Sequence, residues 1–144
     1  MTSHRITKTS LSAICDCLAL VPEFDPCPTV EDLRARSDGH QSLALVAHVD
    51  GEITGCKFGY AIDSATFYSW VGGVIPAHRK SGIAAALLDH QERWAAEHGY
   101  QTVRVKSMNR YPGMIRLLIR HNYQIISTEG DDPNTLKIIF EKQL

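Results

Sequence analysis

The chain has 144 residues, enough for one domain with a sizeable core, and 44% of them are hydrophobic. Its 15 basic and 16 acidic residues leave a formal net charge of -1 with no long run of one sign, which excludes the broad basic footprint of a nucleic-acid binder. No apolar stretch approaches the roughly 20 residues that span a bilayer, and Met1-Thr2-Ser3-His4-Arg5 lacks the apolar core of a signal peptide, so a cytoplasmic protein without a membrane partner is expected.

The predicted elements begin with a helix capped by Ser10, in which Leu11, Ile14, Cys15 and Leu18 recur at helical spacing until Pro22 ends the pattern. A proline-containing loop follows, Val21-Pro22-Glu23-Phe24-Asp25-Pro26. Thr29 with Asp32 three residues on forms a variant capping box for a second short helix through about Arg36, stopped by Ser37-Asp38-Gly39. The four cysteines, Cys15, Cys17, Cys27 and Cys56, read as reduced thiols, since a chain with this much apolar material needs no disulfide staples. Cys15 and Cys17 stand two apart in a helical pattern and point to different faces, which argues against a shared metal.

From Leu43 the period changes to two. Leu43, Leu45, Ala47 and Val49 alternate with Ala44, Val46 and His48, and Asp50-Gly51 signals a hairpin into a strand from Glu52 to about Ile62. A third extended run spans Thr66 to Ile75. Ile83, Leu87, Leu88, Trp94 and Ala95 then share one helical stripe that closes at Gly99. Val103 and Val105 mark a short strand, Met114, Leu117, Leu118 and His121 a further helix, and Gln124 to Ser127 and Leu136 to Phe140 two closing strands. The expected order is two helices, three strands, helix, strand, helix, two strands. A hairpin pairs antiparallel and a strand-helix-strand crossover pairs parallel, so the fold class is an α/β mixed sheet with helices on its faces, in one domain over residues 1–144.

The stretch Arg79-Lys80-Ser81-Gly82-Ile83-Ala84 lies where the third strand breaks into that long helix. Free backbone N–H groups at a helix start, backed by the helix dipole, form an anion site. Arg79 and Lys80 add charge there, and Gly82 has no side chain to hold a phosphate off the backbone. The ligand class expected is a phosphorylated cofactor.

The order Arg-x-x-Gly-x-Ala after Val74-Ile75-Pro76 resembles the acetyl-CoA-binding motif of the GNAT superfamily of N-acetyltransferases, Arg/Gln-x-x-Gly-x-Gly/Ala, and the likeness in element order extends over roughly residues 43 to 127. The resemblance implies a GNAT-like fold in which the strands near 66–75 and 102–107 splay and hold the pantetheine arm. It also implies cofactor contacts from Val74, Arg79, Lys80, Ser81, Gly82, Ile83 and Ala84, and a CoA or substrate contact from Asn109, which otherwise reads as part of a capping turn. The adjacent Gly72 and Gly73 favour a bulge or a close approach. The activity implied is acetyl transfer from acetyl-CoA to a primary amine of a small molecule or peptide, without metal. The alternative is an acyl-CoA-binding sensor or regulatory module. Homodimers are common in the family, and the closing strands offer an edge for one.

For catalysis, the family's Tyr acid in Leu-Tyr-x-x-x-Gly-Phe falls on Leu118 when the pattern ends on Asn122-Tyr123, and leucine has no proton to give. Tyr111, at the start of the same helix, is the nearest alternative. His48 is of a residue type that can act as base directly or through water, and water alone is an equal route. The loop between the first two helices walls the acceptor site in the family. Here Glu23 and Asp25 can draw in a cationic amine and Phe24 can line its pocket, unless the loop is simply an acidic surface turn. Tyr60, Tyr68 and Trp70 are candidate pocket walls or core aromatics.

Overall fold

The structure, a computed structural model, describes residues 4–144; Met1, Thr2 and Ser3, part of the N-terminal stretch read above, lie outside the described residues. The chain runs β1 (His4–Lys8), α1 (Leu11–Leu18), α2 (Val30–Ser37), β2 (Ser42–Val49), β3 (Glu52–Ala61), β4 (Thr66–Val74), a 3-10 turn (Pro76–His78), α3 (Ile83–Glu97), β5 (Thr102–Ser107), α4 (Pro112–Arg120), β6 (Gln124–Glu129) and β7 (Lys137–Gln143). The strands form one sheet in the order β1-β2-β3-β4-β5-β7-β6, with β4 and β5 parallel and the other pairs antiparallel. This is the expected mixed sheet with one strand more. β1 was not anticipated because its sequence, His-Arg-Ile-Thr-Lys, offers a single large apolar residue, and it is the pairing of its backbone with β2 that holds it as an edge strand.

Local chemistry sets the boundaries. Ser10 accepts from the Ala13 N–H at 3.2 Å to start α1. Thr29 and Asp32 complete the capping box of α2, at 3.1 and 2.9 Å, a device worth about 1 kcal/mol. Asp50 and Gly51 take positive φ, 52° and 81°, as a two-residue hairpin requires. Gly99, at φ 87°, takes the left-handed position one residue past the C-cap His98.

The alternation in β2 separates two cores. Leu43, Leu45, Ala47 and Val49 join Phe67, Val74, Val103 and Val105 beneath α3 and α4, where Ile83, Leu87, Leu88, Trp94, Ala95 and Leu118 are buried. On the opposite face Val46, Cys56, Phe58, Tyr60, Tyr68 and Val71 pack against Ile14, Cys17 and Leu18 of α1 and Leu33 of α2. Burying each such side chain stabilises the fold by roughly 1.5–3 kcal/mol, so both layers are fixed to the sheet on which the site is built. All four cysteines are free thiols. Among the described residues no helix is long and apolar enough to cross a membrane.

Candidate functional site

The parallel ladder between β4 and β5 covers only Thr66–Ser69 against Thr102–Val105. Beyond it β4 continues to Val74 along β3, whereas Lys106 and Ser107 of β5 follow β7. The two strands therefore part. The cause is a register shift in β4: Val71 faces Phe58 and Ser69 faces Gly59, so Trp70 is an extra residue. A bulge increases twist and bends its strand. It lies at Trp70 and not, as the sequence suggested, at Gly72-Gly73. The two glycines answer to close approach instead. A Cβ at Gly72 would lie 2.7 Å from the Cys56 carbonyl oxygen, and one at Gly73 3.1 Å from Val21 Cγ1 and 3.4 Å from Phe24 Cε2.

The open edge of β4 carries unused backbone groups. The Ile75 N–H donates to the Thr54 carbonyl of β3 at 2.8 Å. Because N–H direction alternates along a strand, the N–H of Val74 points the other way, into the gap that β5 leaves. Val74 itself is buried. Six residues farther, the chain turns through Lys80 (φ 63°) and Gly82 (φ 84°) into α3. The first helical bond there is from Ala86 N–H to the Gly82 carbonyl, so the N–H groups from Lys80 to Ala85 have no acceptor within the described protein. A Cβ at Gly82 would meet nothing within 4 Å, which leaves room in front of these donors. Ser81 Oγ is turned back to the His78 carbonyl, Ile83 is buried under the helix, and Ala84 is half-buried. Lys80 is exposed.

Arg79 folds over the end of β4. Its Nε donates to the Val74 carbonyl at 3.0 Å and its Nη2 to Glu23 Oε2 at 2.7 Å. The bond to Arg79 holds the Glu23 carboxyl below the ordinary carboxylate range. Glu23 is thus engaged with the cofactor motif, while Asp25 is exposed and Phe24 half-buried against Gly73. The α1–α2 loop lies on β4 next to Val74, on the face opposite α3.

Other residues expected at the site stand apart from one another. His48 lies on β2 in register with Ile53, with its ring Nε2 3.3 Å from Thr7 Oγ1. Two strand spacings separate β2 from β4, on the order of 10 Å. Tyr111 occupies the N-cap of α4 with the Arg110 guanidinium 5.2 Å from its ring centre. Asn109 is exposed and donates to the Pro133 carbonyl at 2.9 Å, tying β5's exit to the β6–β7 loop. Leu118, the position of the family's acid, is a core residue 1% exposed, and Tyr123 is buried with its hydroxyl on Glu92 Oε2 at 2.9 Å.

On the α1–α2 face, Tyr68 and Trp70 belong to an aromatic group with Tyr60. Ring centres lie 5.6 Å apart for Tyr60–Tyr68 and 6.1 Å for Tyr60–Trp70, both edge-on. Burial above all pushes the Tyr68 phenol up to about 12, which keeps it protonated at neutral pH. Two residues here escaped the sequence reading. Arg36 of α2 stacks on Trp70 with Cζ 4.5 Å from the ring centre and donates from Nε to the Tyr60 hydroxyl at 2.9 Å. Lys57 of β3 lies on the α3 face beside Gly72, and burial lowers its ammonium to about 8. An arginine on a short exposed helix and a lysine in an apolar strand give no local signal of either role. Among the described residues no group of three or more His, Cys, Asp or Glu side chains is arranged to hold a metal ion.

Known proteins share this fold. The fold matches a GNAT family acetyltransferase from Elizabethkingia anophelis with acetyl-CoA bound, at 19% identity and TM-score 0.78 over 98% of each chain. It matches the IAA acetyltransferase from Bacillus cereus at 18% identity and TM-score 0.80, over 99% of this chain and 100% of that one. It also matches the ribosomal-protein-S18-alanine N-acetyltransferase from Escherichia coli at 13% identity and TM-score 0.83, over 98% of this chain and 94% of that one. No curated protein matches the chain by sequence. The model of the acetyltransferase (GNAT) family matches residues 13–123, from α1 through the end of α4 and across the whole splayed pair, and the chain belongs to the GNAT family of acetyltransferases.

Proposed function

We propose that the protein transfers the acetyl group of acetyl-CoA to a primary amine of a small molecule or peptide by direct attack in a ternary complex, with residues 1–144 acting as one domain. The observation that carries this reading is the inward N–H of Val74 at the mouth of the strand gap, in line with the free N–H groups from Lys80 to Ala85. The donors at the start of α3, with Lys80 beside them, suit a pyrophosphate. The Val74 N–H suits the oxygen of a thioester carbonyl, where negative charge grows as the amine attacks.

In the reaction the amine nitrogen forms a bond to the acetyl carbon, the carbon–sulfur bond breaks, and the amine loses a proton while the CoA thiolate gains one. Holding amine and carbonyl in contact supplies much of the rate. Val21 and Phe24 wall the acceptor side of β4, and Tyr68 and Trp70 line the face beyond. The amine's proton leaves through water, by which route alone His48 can receive it, given its separation from β4. Tyr111, at the start of α4, is the candidate donor to the thiolate. A thiolate is a tolerable leaving group, so a weak donor or water serves. Peptide amines stand beside small ones because a protein of like fold is named for acting on an alanine of ribosomal protein S18.

The test is a panel of primary amines incubated with protein and acetyl-CoA, read both as free thiol and as acetylated product by mass. Amine-dependent thiol release with equal product supports the reading. Tight acetyl-CoA binding with no amine-dependent release across small amines and peptides contradicts it.

A further inference from the structure

We infer that the cleft between α2 and the bulge of β4 is an anion site that selects the acceptor. Arg36 binds a carboxylate carried by the amine substrate, with the carboxylate and the reacting nitrogen at opposite ends of an extended molecule. The assignment rests on the transferase reading for the identity of the amine end only.

The cleft has a volume of about 480 Å³ and is lined by Pro26, Cys27, Pro28, Asp32, Arg36 and Trp70 among others. Its cation is held in place before any ligand arrives. The Arg36 Cζ lies over the Trp70 ring, 4.5 Å from the centre, and its Nε donates to the Tyr60 hydroxyl at 2.9 Å, so two contacts hold the guanidinium. The two terminal nitrogens make no hydrogen bond to described residues, and they form the edge that pairs with a carboxylate two-pronged.

Arg36 is also the uncompensated charge of its neighbourhood. Three cations gather around the aromatic rings of this face. Arg104 is paired with Glu141 at 2.6 Å, and Lys106, 5.7 Å from the Tyr68 ring centre, is paired with Glu129 at 3.0 Å. Arg36 has no carboxylate within 4.0 Å among the described residues. Asp32 stands four residues before it, the spacing of a helical ion pair, yet its carboxylate is turned to the Thr29 N–H at 2.9 Å in the capping box. The acid one helical turn before Arg36 is therefore committed elsewhere, and Asp38, two residues after it, makes no ion pair with it.

The bulge connects this site to the chemistry. Trp70 and Val74 are the two ends of one strand segment, four residues apart. At roughly 3.3 Å per residue, shortened by the bulge, the anion and the amine nitrogen are on the order of 10 Å apart. An ω-amino carboxylate of about eight carbons or a tripeptide with a free C-terminus spans that distance. A short cationic amine without an acid does not engage Arg36.

The experiment compares ω-aminooctanoate with its carboxamide, and trialanine with its C-terminal amide. Acceptor binding is followed by calorimetry with CoA present, and transfer by thiol release, for the wild type, Arg36→Gln and Arg36→Lys. We expect at least one acid to exceed its amide by about tenfold or more in affinity and in kcat/KM, chiefly through KM. Arg36→Gln brings that ratio close to one, and Arg36→Lys keeps part of it. Which acid shows the preference tells a free amino acid from a peptide terminus. Equal use of acid and amide, an unchanged ratio in Arg36→Gln, or no binding of either acid overturns the anion site. A carboxylate preference in binding without any transfer upholds the anion site and counts against the transferase reading instead.

Discussion

On the face under α3 and α4, the groups we propose for the cofactor belong to the backbone: the Val74 N–H at the open strand edge and the N–H groups from Lys80 to Ala85 at the helix start. On the face under α1 and α2, the groups we propose for the acceptor are side chains, with Arg36, Tyr60 and Trp70 brought together from a helix and two strands. The contrast teaches what each half can vary. A backbone site needs only a strand end, a left-handed turn and room for the ligand, so many sequences build it. A side-chain site needs particular residues at particular places, and there one acceptor is told from another.

The comparison breaks most visibly at Val74. Val74→Pro removes one N–H, and that N–H takes no part in the ladder to β3. Loss of an oxyanion donor costs about 10²–10³ in kcat, and we expect a fall of that size with acetyl-CoA affinity changed only a few-fold. A fall of less than tenfold means that the backbone donor does not serve the reaction.

Lys57 sharpens the comparison from the cofactor face, where it is a buried side chain with no ligand role assigned. Burial lowers its ammonium to about 8, opposed by Cys56 and Glu92. The folded value lies below the ordinary one, so between the two the unfolded chain binds more protons, and stability rises with pH from about 8 to about 10.5. Lys57→Met removes that dependence and relieves the burial of charge at neutral pH. We expect Tm to rise by about 2–4 °C at pH 7. A lower Tm, or a pH slope that survives the substitution, assigns Lys57 a stabilising partner instead.

The smallest effect concerns the one ion pair that joins the two halves among the described residues. Glu23 and Arg79 are 34% and 41% exposed, so their pairing contributes little to stability. It does draw Arg79 toward the α1–α2 loop. Glu23→Gln should tighten acetyl-CoA binding about two- to fivefold at low ionic strength, with the gain fading in high salt. Because the folded value of Glu23 is depressed, the ion pair is present above the ordinary carboxylate range and is lost as pH falls through the lower folded value. Weaker binding in Glu23→Gln would mean that the carboxylate positions Arg79 for the phosphates.

The same division decides what could be read in the sequence. The proposed cofactor end is written in one run, Arg79 to Ala84, because backbone donors in a left-handed turn impose a glycine at a fixed place. The hairpin at Asp50-Gly51, the capping box at Thr29 and the stripe of α3 were legible for the same reason: each is set by residues a few positions apart. β1 was not legible, since its pairing is made by β2's edge rather than by its own side chains. The two glycines read as a bulge or a close approach and serve the close approach, whereas the bulge occurs at Trp70, where nothing local marks it. Arg36 and Tyr60 are 24 residues apart and meet only when α2 settles on β3. Acceptor chemistry was sought in the acidic loop, yet Glu23 is tied to Arg79.

The central claim is that the start of α3 holds the pyrophosphate of acetyl-CoA through its backbone. Calorimetric titration of the wild type and of Gly82→Glu with acetyl-CoA tests it most directly. The new side chain meets no protein atom near its Cβ, so its carboxylate would stand where the phosphates must lie, at a φ of 84° that already disfavours any side chain. The account predicts binding at micromolar strength by the wild type and a loss of at least about hundredfold in the variant, with the circular dichroism of the fold retained. Equal affinity in the two proteins, or no binding by the wild type, would contradict it.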